Sequence, residues 1–397
     1  MSRNNTGYIR KELPGSVARI GYLLFAAGLI LGIIGYLIEP VRASYSYLTA
    51  FMFLVSIGVG SLFLVALEYI TGAEWSTPFR RLSEFVASSV PLFIIFAIPL
   101  LLSMHSLFHW THTEVVKEDP VLTTKSPYLN TTFFIIRVVV IFGVWTLFYY
   151  LFTRNSLKQD DTGDQKLTKK NIVLSGIFIP VFAITVTLTS IDWLMSLEPH
   201  WYSTIFGVYY FSGATLGALA VLTLMVVLLK ENGYLSSRLT NDHYYSLGTL
   251  LFAFICFWGY IAFSQYMLIW YANLPEENFW FLHRWENGWQ YLSIILIFTH
   301  FIVPFGALLS YPAKTNPKRL KFMSIWIIIV HYIDIYWLSM PNLQANGHGF
   351  VISWVDFVFP VGIIGFLIVL FSLKAKKHNL VPVGDPKLQK GLNFTLH

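Results

Sequence analysis

The chain has 397 residues, 55% of them hydrophobic and only 12% charged, with a formal net charge of +6. An ordinary soluble domain carries roughly 25% charged residues, so a soluble domain is excluded and a polytopic membrane protein is expected. The single cysteine, Cys256, excludes a disulfide, a Cys-x-x-Cys haem attachment and an iron–sulfur ligand set within this chain.

Runs of ~20 apolar residues are what a hydrocarbon core of about 30 Å asks of a helix. Ten such spans are predicted, at about 16–37, 47–70, 84–104, 130–153, 171–193, 202–229, 245–272, 289–311, 321–338 and 352–373. Outer-membrane strands would alternate over about ten residues instead, so the expected class is all-α integral membrane. Pro91, Pro99, Pro180, Pro304 and Pro360 fall inside spans and should bend their helices. The first apolar run is too long for the core of a signal peptide and reads as a retained helix.

Lysine and arginine divide unevenly between the two sets of loops, 22 on the side of the termini against 4 on the other. The positive-inside rule then places both termini in the cytoplasm. The positive charge is this topological bias and calls for no nucleic-acid partner. The outward loops hold six of the eleven histidines, together with acids such as Glu114, Glu118, Asp119 and Glu198. Trp110, Trp201, Trp280 and Trp289 are expected there as an interfacial belt.

Ionisable residues at membrane depth are costly and so mark candidate sites. Arg137 lies about two turns into the fourth span, and Asp192 ends the fifth, completing a polar stripe with Thr185 and Thr189. His331 and Asp334 stand one turn apart on the ninth span, a carboxylate beside an imidazole that would orient it and raise its basicity. His300 sits near the middle of the eighth span and Glu68 near the inner end of the second. Each also has a structural reading: Arg137 as a helix-to-helix ion pair, Asp192 as an interfacial residue, His300 as a packing residue. His300 and His331 are the one pair that could ligate a haem, and no metal centre is expected.

The stretch "SIDWLMSLEP" at the end of the fifth span recurs as "YIDIYWLSMP" at the end of the ninth, with Asp192 and Asp334 as the shared acids. Two parallel four-helix units follow, related by a pseudo-twofold axis along the membrane normal. The expected organisation is an N-terminal segment with a peripheral first helix (1–46), a first four-helix bundle (47–194), a second (195–351), and a peripheral tenth helix with a cytoplasmic tail (352–397).

Three function classes compete. A quinol-handling subunit needs an apolar slot and a histidine or carboxylate to take protons. A non-catalytic anchor would use the same bundles to dock extrinsic proteins. A secondary transporter would more often show inverted repeats broken at the midplane. The runs "IDWLMSLEPHWYSTIFGVYYFSG", "AFSQYMLIWYANLPEE" and "HYIDIYWLSMP" resemble the NrfD-like membrane subunits of bacterial alternative complex III, over roughly residues 15–375. Size and span count look most like the ActF-type subunits. The resemblance implies two four-helix bundles in a quinol:cytochrome c (or related acceptor) oxidoreductase of the bacterial cytoplasmic membrane. It also implies partner subunits carrying iron–sulfur clusters and c-type haems, and a sister NrfD-like subunit. On it, Asp192, His331 and Asp334 become candidates for quinol or proton chemistry, with Arg137 and His105 as lesser companions. Glu68 and His300 would lie farther inward on a proton path. The loop at 105–129 is expected to dock an extrinsic subunit.

Overall fold

A computed structural model describes residues 11–343 and 349–396, which contain helices and turns and no strand. Ten helices are long and apolar enough to cross a membrane: α1 (Gly15–Ile38), α2 (Pro40–Thr71), α3 (Thr77–Leu102), α4 (Thr131–Thr162), α5 (Gln165–Leu197), α6 (Phe206–Glu231), α7 (Asn241–Ala272), α8 (Trp289–Leu308), α9 (Pro317–Leu343) and α10 (Val355–Lys377). The all-α, ten-span expectation holds. An even number of spans puts both described chain ends on one side, called here the terminal face, with the far face opposite.

The prolines act where they fall. Pro91 sits in a 3₁₀ turn, Val90–Leu92, that breaks α3. In α8 a π-helical turn, Ile297–Ile302, precedes Pro304. Proline has no N–H to offer the carbonyl four residues earlier, which is that of His300. The widened turn sets His300 on the inner side of the helix, where it is buried.

Two helices make the centre. In α2, 94% of the membrane window is buried and in α6 78%, against 22% for α1. They pack on each other through Gly60, where an added Cβ would come within 2.6 Å of the Ala214 carbonyl oxygen. The remaining contacts are symmetric. α2 packs on α5 of its own half and α9 of the other, while α6 packs on α9 of its own half and α5 of the other. That pattern is what a parallel repeat requires. α10 lies outside α2, and α1 packs on α10. There the backbones meet at Gly28 and Gly362, where a Cβ on Gly28 would sit 2.3 Å from the Gly362 Cα. Small residues permit such approach where packing, not the hydrophobic effect, joins helices.

Arg42 lies in the first turn of α2 and binds Asp356 at the start of α10 (Nη2–Oδ2 2.6 Å), with Ser46 donating to the same carboxylate at 2.6 Å. The belt tryptophans need correction. Trp110, Trp201, Trp280 and Trp289 are all buried, because the far-face loops fold back over the bundles. Trp201 stacks on Trp280 with ring centroids 4.4 Å apart.

At the terminal face four carboxylates share two buried guanidiniums. Arg80 reaches Glu68 (2.8 Å), Glu84 (3.3 Å) and Asp385 (2.7 Å), and Arg81 reaches Glu84 (2.9 Å) and Asp160 (2.8 Å). Asp385 belongs to the C-terminal tail, which folds across this face. Lys387 Nζ donates to the Gly72 carbonyl at 2.9 Å, and His243 Nε2 lies 2.8 Å from the Gly391 carbonyl. Asp385→Asn weakens a buried charge-assisted bond and is expected to destabilise by roughly 1–3 kcal/mol. A lower thermal midpoint in detergent checks this, and an unchanged midpoint would mean that the tail rests on the face without holding it.

Candidate functional site

The two acids of the repeat meet different surroundings. Asp192, at the far end of α5, is held by Arg137 of α4 in a bidentate pair, Nε to Oδ2 at 2.8 Å and Nη2 to Oδ1 at 2.9 Å. The Tyr128 hydroxyl donates to Oδ1 at 3.0 Å, and its ring lies 3.9 Å beneath the guanidinium. Burial pushes the Tyr128 phenol up, so it stays a donor. Arg137 Nη1 completes the cage by donating to the Tyr128 carbonyl at 2.9 Å. Trp145 Nε1 donates to Thr185 at 2.8 Å, so the predicted polar stripe is used for helix packing. Asp192 is both neutralised and hydrogen-bonded. It is the structural ion pair that the sequence offered as one reading of Arg137.

Asp334, at the far end of α9, has no such partner. The Tyr209 hydroxyl of α6 donates to Oδ1 at 2.5 Å and Trp258 Nε1 of α7 to Oδ2 at 3.2 Å. Among the described residues no cation lies within ion-pair distance of it. His331, one turn inward, places Nε2 2.8 Å from the Ser56 hydroxyl of α2. That hydroxyl donates to the Phe53 carbonyl at 2.7 Å, so the network assigns the proton to His331 Nε2 and leaves Nδ1 with a bare lone pair. Nδ1 is buried without a hydrogen-bond partner, as is Nε2 of His300. The His300 ring stacks on Trp258 at 3.8 Å.

One ligand atom from each of His300, His331 and Asp334 lies within 4.8 Å of the other two, and all three residues are buried. The sequence paired His331 with Asp334 but set His300 on a path farther inward; the π turn of α8 brings it to the same point. Among the described residues this trio is the donor set that could hold a metal ion, where the sequence reading expected no metal centre. A haem does not fit, because the Trp258 ring covers His300 and the α6 backbone at Gly213 and Gly217 closes on His331. A Cβ on Gly217 would meet the imidazole at 2.7 Å.

The other sequence candidates lie elsewhere. Glu68 is part of the terminal-face ion network and pairs with Arg80. His105 is exposed on the far-face lobe, where its Nδ1 lies 3.2 Å from the Thr111 hydroxyl and His112 Nε2 from its carbonyl at 2.9 Å. That lobe is tied down by Asp119, which meets His200 at 2.5 Å, and by Lys125, whose Nζ donates to the Pro199 carbonyl at 2.5 Å. The His200 contact holds the Asp119 carboxyl below its ordinary value, and burial lowers the Lys125 ammonium. Sequence reasoning missed Tyr209, Trp258 and Ser56, since a tyrosine, tryptophan or serine in an apolar helix carries no signal of what it faces.

No family model matches this chain, and no curated protein matches it.

Two outcomes follow. Arg137→Ala strands the Asp192 carboxylate and should cost about 3–5 kcal/mol of stability, with part of the loss restored in the Arg137→Ala/Asp192→Asn double variant. Equilibrium unfolding of the single and double variants checks it. For the lobe, a carboxyl whose folded pKa is depressed stabilises above its ordinary value and loses that contribution as pH falls through the lowered one. Amide protection in residues 113–130, taken relative to the intrinsic exchange rate at each pH, should therefore fall at acid pH, below the ordinary carboxylate range, and Asp119→Asn should already show the lower protection at neutral pH.

Proposed function

We propose that this chain is an integral membrane subunit of alternative complex III, in a respiratory quinol:cytochrome c electron-transfer path, and that its own part is proton handling in the second bundle. The observation that carries this reading is the buried, cation-free carboxylate of Asp334 beside two imidazoles with unpartnered ring nitrogens. A structural acid in a membrane is normally given a counter-charge, as Asp192 is by Arg137. Asp334 instead receives two neutral hydrogen bonds, an arrangement that lets it gain and release a proton without leaving an unpaired arginine behind.

The chemistry needs little movement. Tyr209 can pass its hydroxyl proton to Asp334 while accepting another from the far-face side. His331 Nδ1 and His300 Nε2 are the next acceptors within the cluster. The ring of a quinol does not reach this point directly, since Tyr209 and Trp258 wall it off, so quinol protons would arrive through the Tyr209 hydroxyl. Electrons released in quinol oxidation would pass to partner subunits that carry iron–sulfur clusters and c-type haems, because one cysteine cannot hold a cluster. The membrane of this reading is the bacterial inner membrane, and the lysine and arginine asymmetry supports cytoplasmic termini with the cluster in the outward half.

A scaffold reading is favoured for the first bundle alone. Its Asp192 is saturated, and the lobe over it presents an exposed polar surface suited to an extrinsic subunit.

Asp334→Asn and Tyr209→Phe, with assembly confirmed, are expected to lower quinol:cytochrome c turnover by about 10²-fold or more, the usual worth of a positioned proton acceptor. The pH profile of Asp334→Asn should flatten. Asp192→Asn should lower stability before it lowers turnover. Full turnover with an unchanged pH profile in both Asp334→Asn and Tyr209→Phe would overturn the reading and leave the chain an anchor.

A further inference from the structure

A cavity of about 1010 Å³ opens between α7 and α8 on the flank of the second bundle. Its mouth is framed by Tyr260, Phe263, Trp270 and Ile297, large apolar side chains that are all exposed. Such a mouth faces the hydrocarbon of a bilayer, not water. Cys256 and Gln265 both line the cavity and stand about 14 Å apart along α7. That depth is close to the ~15 Å of one leaflet's hydrocarbon.

Near the far face the wall changes character. Arg284 lines the cavity and is 1% exposed. Its guanidinium donates to the carbonyls of Trp337 (3.2 Å), Trp280 (2.9 Å) and Leu338 (2.9 Å) and lies 3.5 Å over the Trp280 ring. No carboxylate among the described residues comes within ion-pair distance; Glu198 contributes only a field from farther away. Burial pulls the guanidinium down to about 9, so it is still a cation at neutral pH. The end of α9 supplies two of the three carbonyls, but a helix terminus is worth only about half an elementary charge. Three of the five guanidinium N–H groups are used. Gln265 adds a buried Oε1 with no donor, and Asn278 and Asn273 stand at the same end, joined by a 2.7 Å bond.

We infer that this cavity is a binding site for an anionic phospholipid, its phosphate toward Arg284, a headgroup hydroxyl toward Gln265 and an acyl chain running inward past Phe263 to Cys256. Charge decides the class of ligand. A buried cation short of a counter-charge is satisfied by a phosphate, whereas the carbonyls of a neutral quinone would leave it uncompensated. The apolar walls favour a lipid over free phosphate. The cavity borders the proton cluster, since Tyr209 and Trp258, the two donors to Asp334, also line it; the anion end of the site is Arg284, which makes no bond to Asp334.

Cys256, the sole cysteine of the chain, reports on occupancy. The full chain, in the complex with which it purifies, is placed in nanodiscs of phosphatidylglycerol or of phosphatidylcholine, and maleimide labelling of Cys256 is followed by peptide mass spectrometry. Labelling should be slower in phosphatidylglycerol. Arg284→Gln should erase that difference, a loss of about tenfold in lipid preference for one charge-assisted contact. Since Arg284 also caps α9, Asn278→Asp provides a second variant that keeps the cap and repels the phosphate, and it should act in the same direction. Equal labelling in the two lipids would overturn the proposal. So would a preference that survives in both variants, or protection by decylubiquinone in phosphatidylcholine equal to that by phosphatidylglycerol, which would make the occupant a neutral quinone.

Discussion

The close approach of α2 and α6 is the constraint on which the rest of the molecule depends. Gly60 lets the α6 backbone come against α2, and Gly213 and Gly217 then leave a recess on α6. Into that recess goes the imidazole of His331 from α9, with its other edge on Ser56 of α2. Three helices thus fix one side chain, and that side chain marks the level at which Asp334, Tyr209 and Trp258 converge. A larger residue at Gly217 would push the ring out of its recess and undo the alignment without touching any polar group.

From that centre the two halves diverge in how they treat a shared acid. In the first half the chain supplies Arg137, two helix neighbours and an aromatic lid, and Asp192 becomes a joint between α4 and α5. In the second half the corresponding acid is given a phenol and an indole. Burying a charge without its partner is expensive in hydrocarbon; the chain supplies that partner in one half, and in the other it supplies only two neutral donors, which is the contrast on which the proposed proton role rests. The π turn at His300 adds to this view, since such turns are distortions of a helix and are frequent at functional sites.

The faces of the molecule carry the remaining charge in two ways. At the terminal face, Arg80 and Arg81 are sealed among four carboxylates, and the C-terminal tail closes over them through Asp385. At the far face, Arg284 is buried on aromatic rings and carbonyls, with no acid beside it among the described residues. Buried networks of opposite charges join elements firmly, while a lone buried cation leaves a valence open. The cavity beside Arg284 is where that valence points.

Composition and periodicity were enough to determine the class and the ten spans, because hydrocarbon thickness sets helix length whatever the tertiary contacts are. The i, i+3 spacing of His331 and Asp334 also made it legible that the two share one face of α9. What the linear order could not hold was the partner of each ionisable group. Arg42 and Asp356 are 314 positions apart, Arg80 and Asp385 305, and Tyr209 and Asp334 125. Glu68, expected at the inner end of a proton path, pairs with Arg80, and the tryptophans expected at the interface are buried. Helix spacing states which residues share a face, but only packing states what that face meets, and for a charge in a membrane the neighbour decides whether it is a joint or a site.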